Sequence, residues 1–226
     1  MREEIVRFGE RQKMAGIITY SSSDTRNCTL PAIIFVNCWP VHRTGHSRIH
    51  VVLSRRFAEI GYTSLRCDVL ECSSVNGQKD YCQDGEKSAV HYVQLAMDYL
   101  NLVLGSTRFV LMGLCAGADW ALWVSMVDDR VAGLILVDDN TLCFGDSPTK
   151  WIGSDTKCLI IYSEKIVAMD SFRMPVFPCV GNNKLSQSVQ LESPKGMDHL
   201  LLTQTSQLFV ITRACSWLQS VFNDTG

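Results

Sequence analysis

The chain has 226 residues, of which 46% are hydrophobic, and its 21 basic and 23 acidic side chains leave a formal net charge of -2. That length and apolar content suit a single α/β domain with one large core. The balanced charge and the lack of a basic stripe argue against nucleic acid and anionic membranes as partners. The chain start has no apolar targeting core, and no run approaches the roughly 18 apolar residues of a membrane span, so we expect a soluble cytoplasmic protein.

Apolar runs rich in branched residues alternate with helical patterns along the chain. The predicted strands are 5–8, 14–20, 32–38, 62–68, 108–114, 131–138, 158–162 and 189–191. The predicted helices are 46–60, 85–104, 116–127 and 205–222. Two hairpin-like strands followed by β/α alternation predict a mostly parallel eight-stranded sheet with helices on both faces. The segment between residues 138 and 156 is too short for a large lid domain, and a small cap at 171–187 stays open.

A short motif, GLCAG at residues 113–117, joins the predicted strand 108–114 to the helix that follows it. A strand that ends in Gly-x-nucleophile-x-Gly and opens a helix is the nucleophile elbow of the α/β hydrolases. Its two glycines permit the tight turn that lifts the middle side chain above the sheet. Cys115 is therefore the candidate nucleophile, and the alternative is a buried cysteine that lies between two glycines by coincidence.

A histidine in the right place supports this interpretation. His199 follows the last predicted strand and precedes the last predicted helix, and in α/β hydrolases the order along the chain is nucleophile, acid, histidine. All the other histidines precede the elbow and cannot supply the base in that order. They are His42, His46, His50 and His91. His199 is the candidate base, and the alternative is a capping or surface histidine.

The chain resembles the α/β hydrolase superfamily and, within it, the small hydrolases associated with exosortase gene clusters. The resemblance runs from about residue 32 to the C-terminus, and four stretches carry it: FVNCWPVHRTGHSR (35–48), GYTSLRCD (61–68), GLC (113–115) and VAGLILV (131–137). It implies the α/β-hydrolase fold and a cysteine nucleophile. The chain departs from that group in three places. Residues 70–77 replace a glycine-rich turn, and Ile166 stands where the group has its acidic aspartate. The third place is Ala116 and Gly117 of the elbow, a stretch that varies among hydrolases but suits small residues.

The acid must then come from elsewhere. Some α/β hydrolases carry it after the sixth strand, where this chain has Asp138 and Asp139, and we take Asp138 as the first choice and Asp139 as the second. A carboxylate there would fix the histidine tautomer and stabilise the imidazolium. The alternative is that both aspartates cap a loop. Glu164 and Asp170 are further candidates, and a Cys-His dyad would also function because a thiol needs less activation than a hydroxyl.

A thiol at a helix N-terminus beside a histidine should ionise more easily than an isolated one. Its attack on a carbonyl would place the oxyanion near the N–H of Ala116 and a second N–H from Trp39 or Cys38. We predict a hydrolase that acts on an activated acyl substrate, a thioester, ester or lactone, small or carrier-bound, through an acyl-Cys115 intermediate. An acyltransferase or cyclase that uses the same site and a non-catalytic binding protein of the same fold are the alternatives.

Metal and cofactor chemistry receives little support. His42, His46 and His50 are spaced by four residues and would share one face of a continuous helix. Gly45 and the predicted helix start leave His42 in a loop, and no cysteine or carboxylate spacing completes a site. We therefore predict neither a metal nor an organic cofactor. Most of the ten cysteines should be reduced core residues, because many lie in apolar strands and no leader is present.

Overall fold

The computed structural model describes residues 1–22, 30–37, 42–69, 85–139, 156–168 and 189–223, with the backbone alone for residues 69 and 85–89. The strands are β1 (Glu3–Phe8), β2 (Met14–Thr19), β3 (Ala32–Val36), β4 (Ser64–Val69), β5 (Phe109–Leu114), β6 (Val131–Val137), β7 (Lys157–Ile161) and β8 (Val189–Glu192). The α-helices are α1 (Ile49–Glu59), α2 (Gly85–Leu104), α3 (Ala116–Ser125), α4 (Glu164–Val167) and α5 (Gln204–Leu218). All eight predicted strands and all four predicted helices are confirmed, and the one-turn helix α4 was not predicted.

The eight strands form one sheet in the order β1-β2-β4-β3-β5-β6-β7-β8. The first two pairings, β1 with β2 and β2 with β4, are antiparallel, and all later pairings are parallel. The chain moves from β3 outward to β4 and then crosses back to β5, so the strand order reverses between β3 and β5. Open α/β sheets bind their ligands at the carboxyl ends of the strands at such a reversal.

Helices cover both faces of the sheet, as predicted. One core cluster joins α2 and α3 to residues such as Ile34 and Leu111, and the other joins α1 and α5 to residues such as Phe35 and Met112. Neighbouring strand residues thus enter opposite cores, because successive side chains of a strand point to opposite faces. Both faces of the central strands are buried, which explains why their sequences are continuously apolar.

Several predictions concern residues outside the described ranges. The possible cap at 171–187 lies there, and so does the loop at 70–77 that replaces the glycine-rich turn of the similar hydrolases. Trp39, Cys38 and Asp170 also lie outside the described residues. Within the described part of the chain, none of the helices combines the length and the apolar character that crossing a bilayer requires.

Candidate active site

The chain turns sharply between β5 and α3, at Cys115. This residue has φ 52° and ψ -127°, a conformation that non-glycine residues rarely adopt and that costs about 1–3 kcal/mol. Three backbone hydrogen bonds hold it: the Cys115 N–H donates to the carbonyl of Val137 at 2.8 Å, and the Cys115 carbonyl accepts from the N–H groups of Ala118 at 2.8 Å and Asp119 at 3.3 Å. The thiol therefore stands at the carboxyl end of β5, beside the end of β6 and before the first turn of a helix.

The two glycines of the motif are required by close backbone contacts. A Cβ added to Gly113 would lie 2.2 Å from the carbonyl oxygen of Gly117, and a Cβ added to Gly117 would lie 2.3 Å from the carbonyl oxygen of Val36. Real Cβ atoms do not approach backbone oxygens so closely. Residues 113–117 therefore form the tight strand-to-helix turn that the sequence predicts, and this turn presses the start of α3 against the end of β3.

The structure brings His199 and Asp138 together. His199 Nδ1 lies 2.7 Å from Asp138 Oδ2, although the two residues are 61 positions apart in the chain. The Asp138 side chain is 1% exposed, and its other oxygen, Oδ1, accepts a hydrogen bond from the Ser163 N–H at 2.5 Å. Asp138 also has a positive φ of 52°, so the carboxylate projects from a sharp turn just past the end of β6.

The same histidine is hydrogen-bonded to Cys115. The hydrogen bond with Asp138 and then the one with Cys115 raise the pKa of His199 to about 10, although burial of the ring acts in the opposite direction. His199 therefore keeps its second proton at neutral pH. A cationic imidazolium beside a sulfur atom favours the thiolate over the thiol. The arrangement Asp138, His199, Cys115 can thus present a nucleophilic sulfur and a proton donor to one acyl group.

The other carboxylate candidates have different partners. Asp139 is fully buried and its Oδ2 accepts a hydrogen bond from the Tyr162 hydroxyl at 2.8 Å. Glu164 Oε2 accepts from the N–H of Gly196 at 3.0 Å. Ile166, at the position of the missing aspartate, is buried in α4 and packs in the core. Asp198, adjacent to the histidine, accepts from the N–H of Leu202 at 2.7 Å, close to the start of α5.

One donor of the expected oxyanion hole is described. The N–H of Ala116 is the first of α3, and a first-turn N–H has no carbonyl partner within its own helix. Ala116 directly follows Cys115 in the chain, so this N–H belongs to the first turn of the helix that begins after the candidate nucleophile. The second predicted donor, Trp39 or Cys38, lies outside the described residues.

The histidines of the β3–α1 region are separated by their surroundings. His46 lies in a 3-10 turn, and burial together with the positive charge of His199 lowers its pKa. His50 is buried in α1 against Phe35, with 4.8 Å between the ring centroids, and burial lowers its pKa to about 3. Among the described residues no group of three or more potential ligands is placed to hold a metal ion.

The remaining described cysteines differ from Cys115 in their surroundings. Burial raises the pKa of Cys67 to about 12 and that of Cys215 to about 11, and it raises the pKa of Cys158 as well. All three thiols stay protonated at neutral pH and are poor nucleophiles. The sequence predicted such reduced core cysteines. It did not predict a role for Ser163, because a backbone N–H leaves no mark in the sequence.

Comparisons with known proteins agree on the fold. No protein-family model matches the sequence, and no curated protein resembles it significantly. Among solved structures, dienelactone hydrolase from Anabaena variabilis is similar with a TM-score of 0.72 and 14% identity, over 98% of this chain and 98% of that chain. A dienelactone hydrolase-like promiscuous phosphotriesterase from metagenomic libraries has a TM-score of 0.65 and 13% identity, with 98% of both chains covered.

The esterase domain of a Rhodothermus marinus protein is also similar, with a TM-score of 0.58 and 15% identity, over 97% of this chain and 99% of that chain. Identities this low establish the fold and leave the chemistry to the site itself. The eight-stranded sheet, its helices and these similarities show that the chain has the α/β-hydrolase fold.

Proposed function

We propose that this protein is a hydrolase of activated acyl compounds, in which Cys115 is the nucleophile, His199 the proton carrier and Asp138 the acid. The observation that carries the proposal is the continuous hydrogen-bonded series from Asp138 through His199 to Cys115, at the mouth of a strained strand-to-helix turn. Three residues from three separate segments meet there in the order of roles that acyl transfer requires.

In the first step, the Cys115 thiolate attacks the acyl carbon and forms a C–S bond. The carbonyl oxygen becomes an oxyanion that accepts hydrogen bonds from the Ala116 N–H and from the loop after β3. The bond to the leaving group then breaks, and the leaving group takes the proton that the His199 imidazolium carries. The products of this half-reaction are an acyl thioester on Cys115 and a neutral imidazole.

In the second step, the neutral His199 accepts a proton from water as the water oxygen attacks the thioester carbon. The C–S bond breaks, the carboxylic acid leaves, and the thiolate and imidazolium are restored together. Asp138 contributes by holding the imidazole in one tautomer and by stabilising its positive charge. The proton balance closes over the cycle, so the site needs no co-reactant other than water.

The candidate nucleophile and the similar structures support this choice of substrate class. A thioester intermediate suits substrates that are themselves activated, namely thioesters, enol esters and lactones. The names of the similar structures, a dienelactone hydrolase and an esterase domain, point to the same group of compounds. The acyl group could be borne by a small molecule or by a carrier. The earlier resemblance to exosortase-associated hydrolases agrees with this proposal in fold and nucleophile and stays a prediction.

Capture of the acyl thioester by an amine or hydroxyl in place of water would make the same site an acyltransferase or cyclase. Product analysis separates the two reactions: incubation with a thioester substrate in ¹⁸O-labelled water places the label in the released acid only if water is the acceptor. Two features favour a non-catalytic role, the missing aspartate at position 166 and the altered loop at Asn37 and Cys38. The carboxylate of Asp138 at His199 supports the catalytic proposal against the first, and Cys38 lies outside the described residues.

Selective alkylation tests the proposal without knowledge of the substrate. Substoichiometric iodoacetamide at pH 7 should modify Cys115 ahead of Cys67, Cys158 and Cys215, because burial raises the pKa of the latter three thiols. His199→Ala should abolish that preference, and peptide mass spectrometry gives the site occupancies. Equal labelling of all four cysteines in the wild-type protein would contradict the proposal, and hydrolysis of an aryl thioester should be lost in Cys115→Ala.

A further inference from the structure

The turn between β7 and α4 contacts both the acid and the base of the candidate site. We propose that Ser163 and Glu164, which we call the corner, are positioning residues for the Asp138–His199 pair. The inference rests on the proposed function for its catalytic meaning, and its own observables are the pKa of His199 and the geometry of the pair.

The first contact fixes the carboxylate. The Ser163 N–H donates to Asp138 Oδ1 at 2.5 Å, while Oδ2 of the same carboxylate lies 2.7 Å from His199 Nδ1. Both oxygens are thus engaged from different directions, which fixes the plane of the carboxylate. Ser163 is fully buried and Asp138 is 1% exposed, so water does not compete for this hydrogen bond.

The second contact fixes the loop that carries the histidine. The N–H of Glu164 donates to the carbonyl of Met197 at 3.2 Å, and the N–H of Gly196 donates to Glu164 Oε2 at 3.0 Å. Glu164 therefore makes two hydrogen bonds in opposite directions with consecutive residues of the loop. The Met197 side chain is buried in the core, which holds this loop against the rest of the domain.

Two consecutive residues of the corner consequently set the separation of acid and base. Ser163 holds Asp138 and Glu164 holds the segment that precedes His199, so a shift of the corner changes the geometry of the pair. On its far side the loop is tied to the start of α5, where Thr203 donates its N–H to the Asp198 carboxylate at 3.1 Å. Hydrogen bonds therefore fix the chain on both sides of His199, to Glu164 before it and to the start of α5 after it.

Two variants at position 163 isolate the backbone hydrogen bond. Ser163→Pro deletes the N–H and places Cδ in its position, and the φ of -69° at Ser163 already matches that of proline. Ser163→Ala keeps the N–H and removes a buried hydroxyl that has no hydrogen-bond partner among the described residues. NMR titration of the His199 imidazole, assigned with His199→Gln, should show a pKa lowered by about 1 unit or more in Ser163→Pro. Ser163→Ala should keep the wild-type titration.

A second pair of variants, at position 164, keeps the inference testable if Ser163→Pro does not fold. Glu164→Ala removes the acceptor of the Gly196 N–H, whereas Glu164→Gln retains a carbonyl oxygen that can accept it. Glu164→Ala should lower the pKa of His199 and reduce kcat for an aryl thioester by about tenfold with little change in KM. Glu164→Gln should restore both values, which a purely electrostatic effect of the carboxylate would not do.

The outcomes separate this inference from the proposed function. The role of the corner is overturned if His199 titrates identically in the two variants at position 163 and identically in the two variants at position 164. This holds whatever the protein catalyses. If the wild-type Cys115 is not alkylated preferentially and its reactivity ignores His199→Ala, the proposed function fails instead, and the titration results would then describe a structural contact only.

Discussion

The elbow, residues 113–117, and the corner, Ser163 with Glu164, position different members of the candidate triad by different physical means. The elbow is held by contact: two glycines lie so close to backbone oxygens that no Cβ fits. The corner is held by hydrogen bonds that reach residues 25 and 32 positions away in the chain. The elbow should therefore be intolerant of added volume, and the corner should be intolerant of lost donors and acceptors.

The largest effect is expected from added volume in the elbow. Gly113→Ala places a Cβ 2.2 Å from the Gly117 carbonyl oxygen, so the strand-to-helix turn must open. We expect a loss of more than about 3 kcal/mol in the free energy of unfolding, measured by urea denaturation. Gly105→Ala is the control, because its site has nothing within 4 Å and only the positive φ of 72° opposes it, at a cost of about 1 kcal/mol. Equal losses in the two variants would show that contact does not define the elbow.

The second effect concerns the carboxylate that the corner holds. Asp138→Asn should keep the fold and lower kcat/KM by about 10²- to 10⁴-fold, because the wrong tautomer of His199 is then favoured. Asp139→Asn should change kcat/KM much less, since Asp139 accepts from Tyr162 and an asparagine oxygen can still do so. If both variants stay fully active while Cys115→Ala is inactive, the acid role of Asp138 is wrong.

A third, smaller effect links the contact between Asp138 and His199 to the thermal stability of the protein. The pKa of His199 is raised from 6.5 to about 10 in the folded protein, chiefly by the hydrogen bond with Asp138. Protonated His199 beside Asp138 therefore stabilises the folded state fully below pH 6.5, and this contribution disappears as the pH rises toward 10. The difference in Tm between wild type and Asp138→Asn should accordingly shrink between pH 6.5 and 10, as measured by differential scanning calorimetry. A difference that grows with pH would contradict this assignment.

The smallest effect is expected in the loop between β8 and α5, which carries His199. Gly196→Ala adds a Cβ that meets nothing within 4 Å, but the residue has φ 74°, which disfavours alanine by about 1 kcal/mol. We expect a small loss of stability and a kcat within about threefold of wild type, since the Glu164 hydrogen bond can persist. A loss as large as that of Gly113→Ala would mean that the loop, like the elbow, is defined by close packing.

Sequence reasoning succeeded where the signal is local. Strand and helix positions follow from periodic apolar residues, and α4 was missed because four residues are too few to show a period. The elbow was predictable because glycines at positions 113 and 117 record a steric requirement. The corner was not, because Ser163 acts through its backbone N–H, which every residue except proline possesses.

The sequence by itself determined the order of strands and helices, the sharp turn at Cys115 and the position of His199 after the last strand, because each depends on neighbouring residues. It left open which carboxylate meets His199, with Asp138, Asp139, Glu164 and Asp170 all in contention. Only the tertiary structure selected Asp138, because the parallel pairing of β6 with β7 sets the ends of these strands side by side and the turn at Asp138 directs its carboxylate to His199. That selection depends on contacts between residues 61 positions apart, which no periodicity or local motif records.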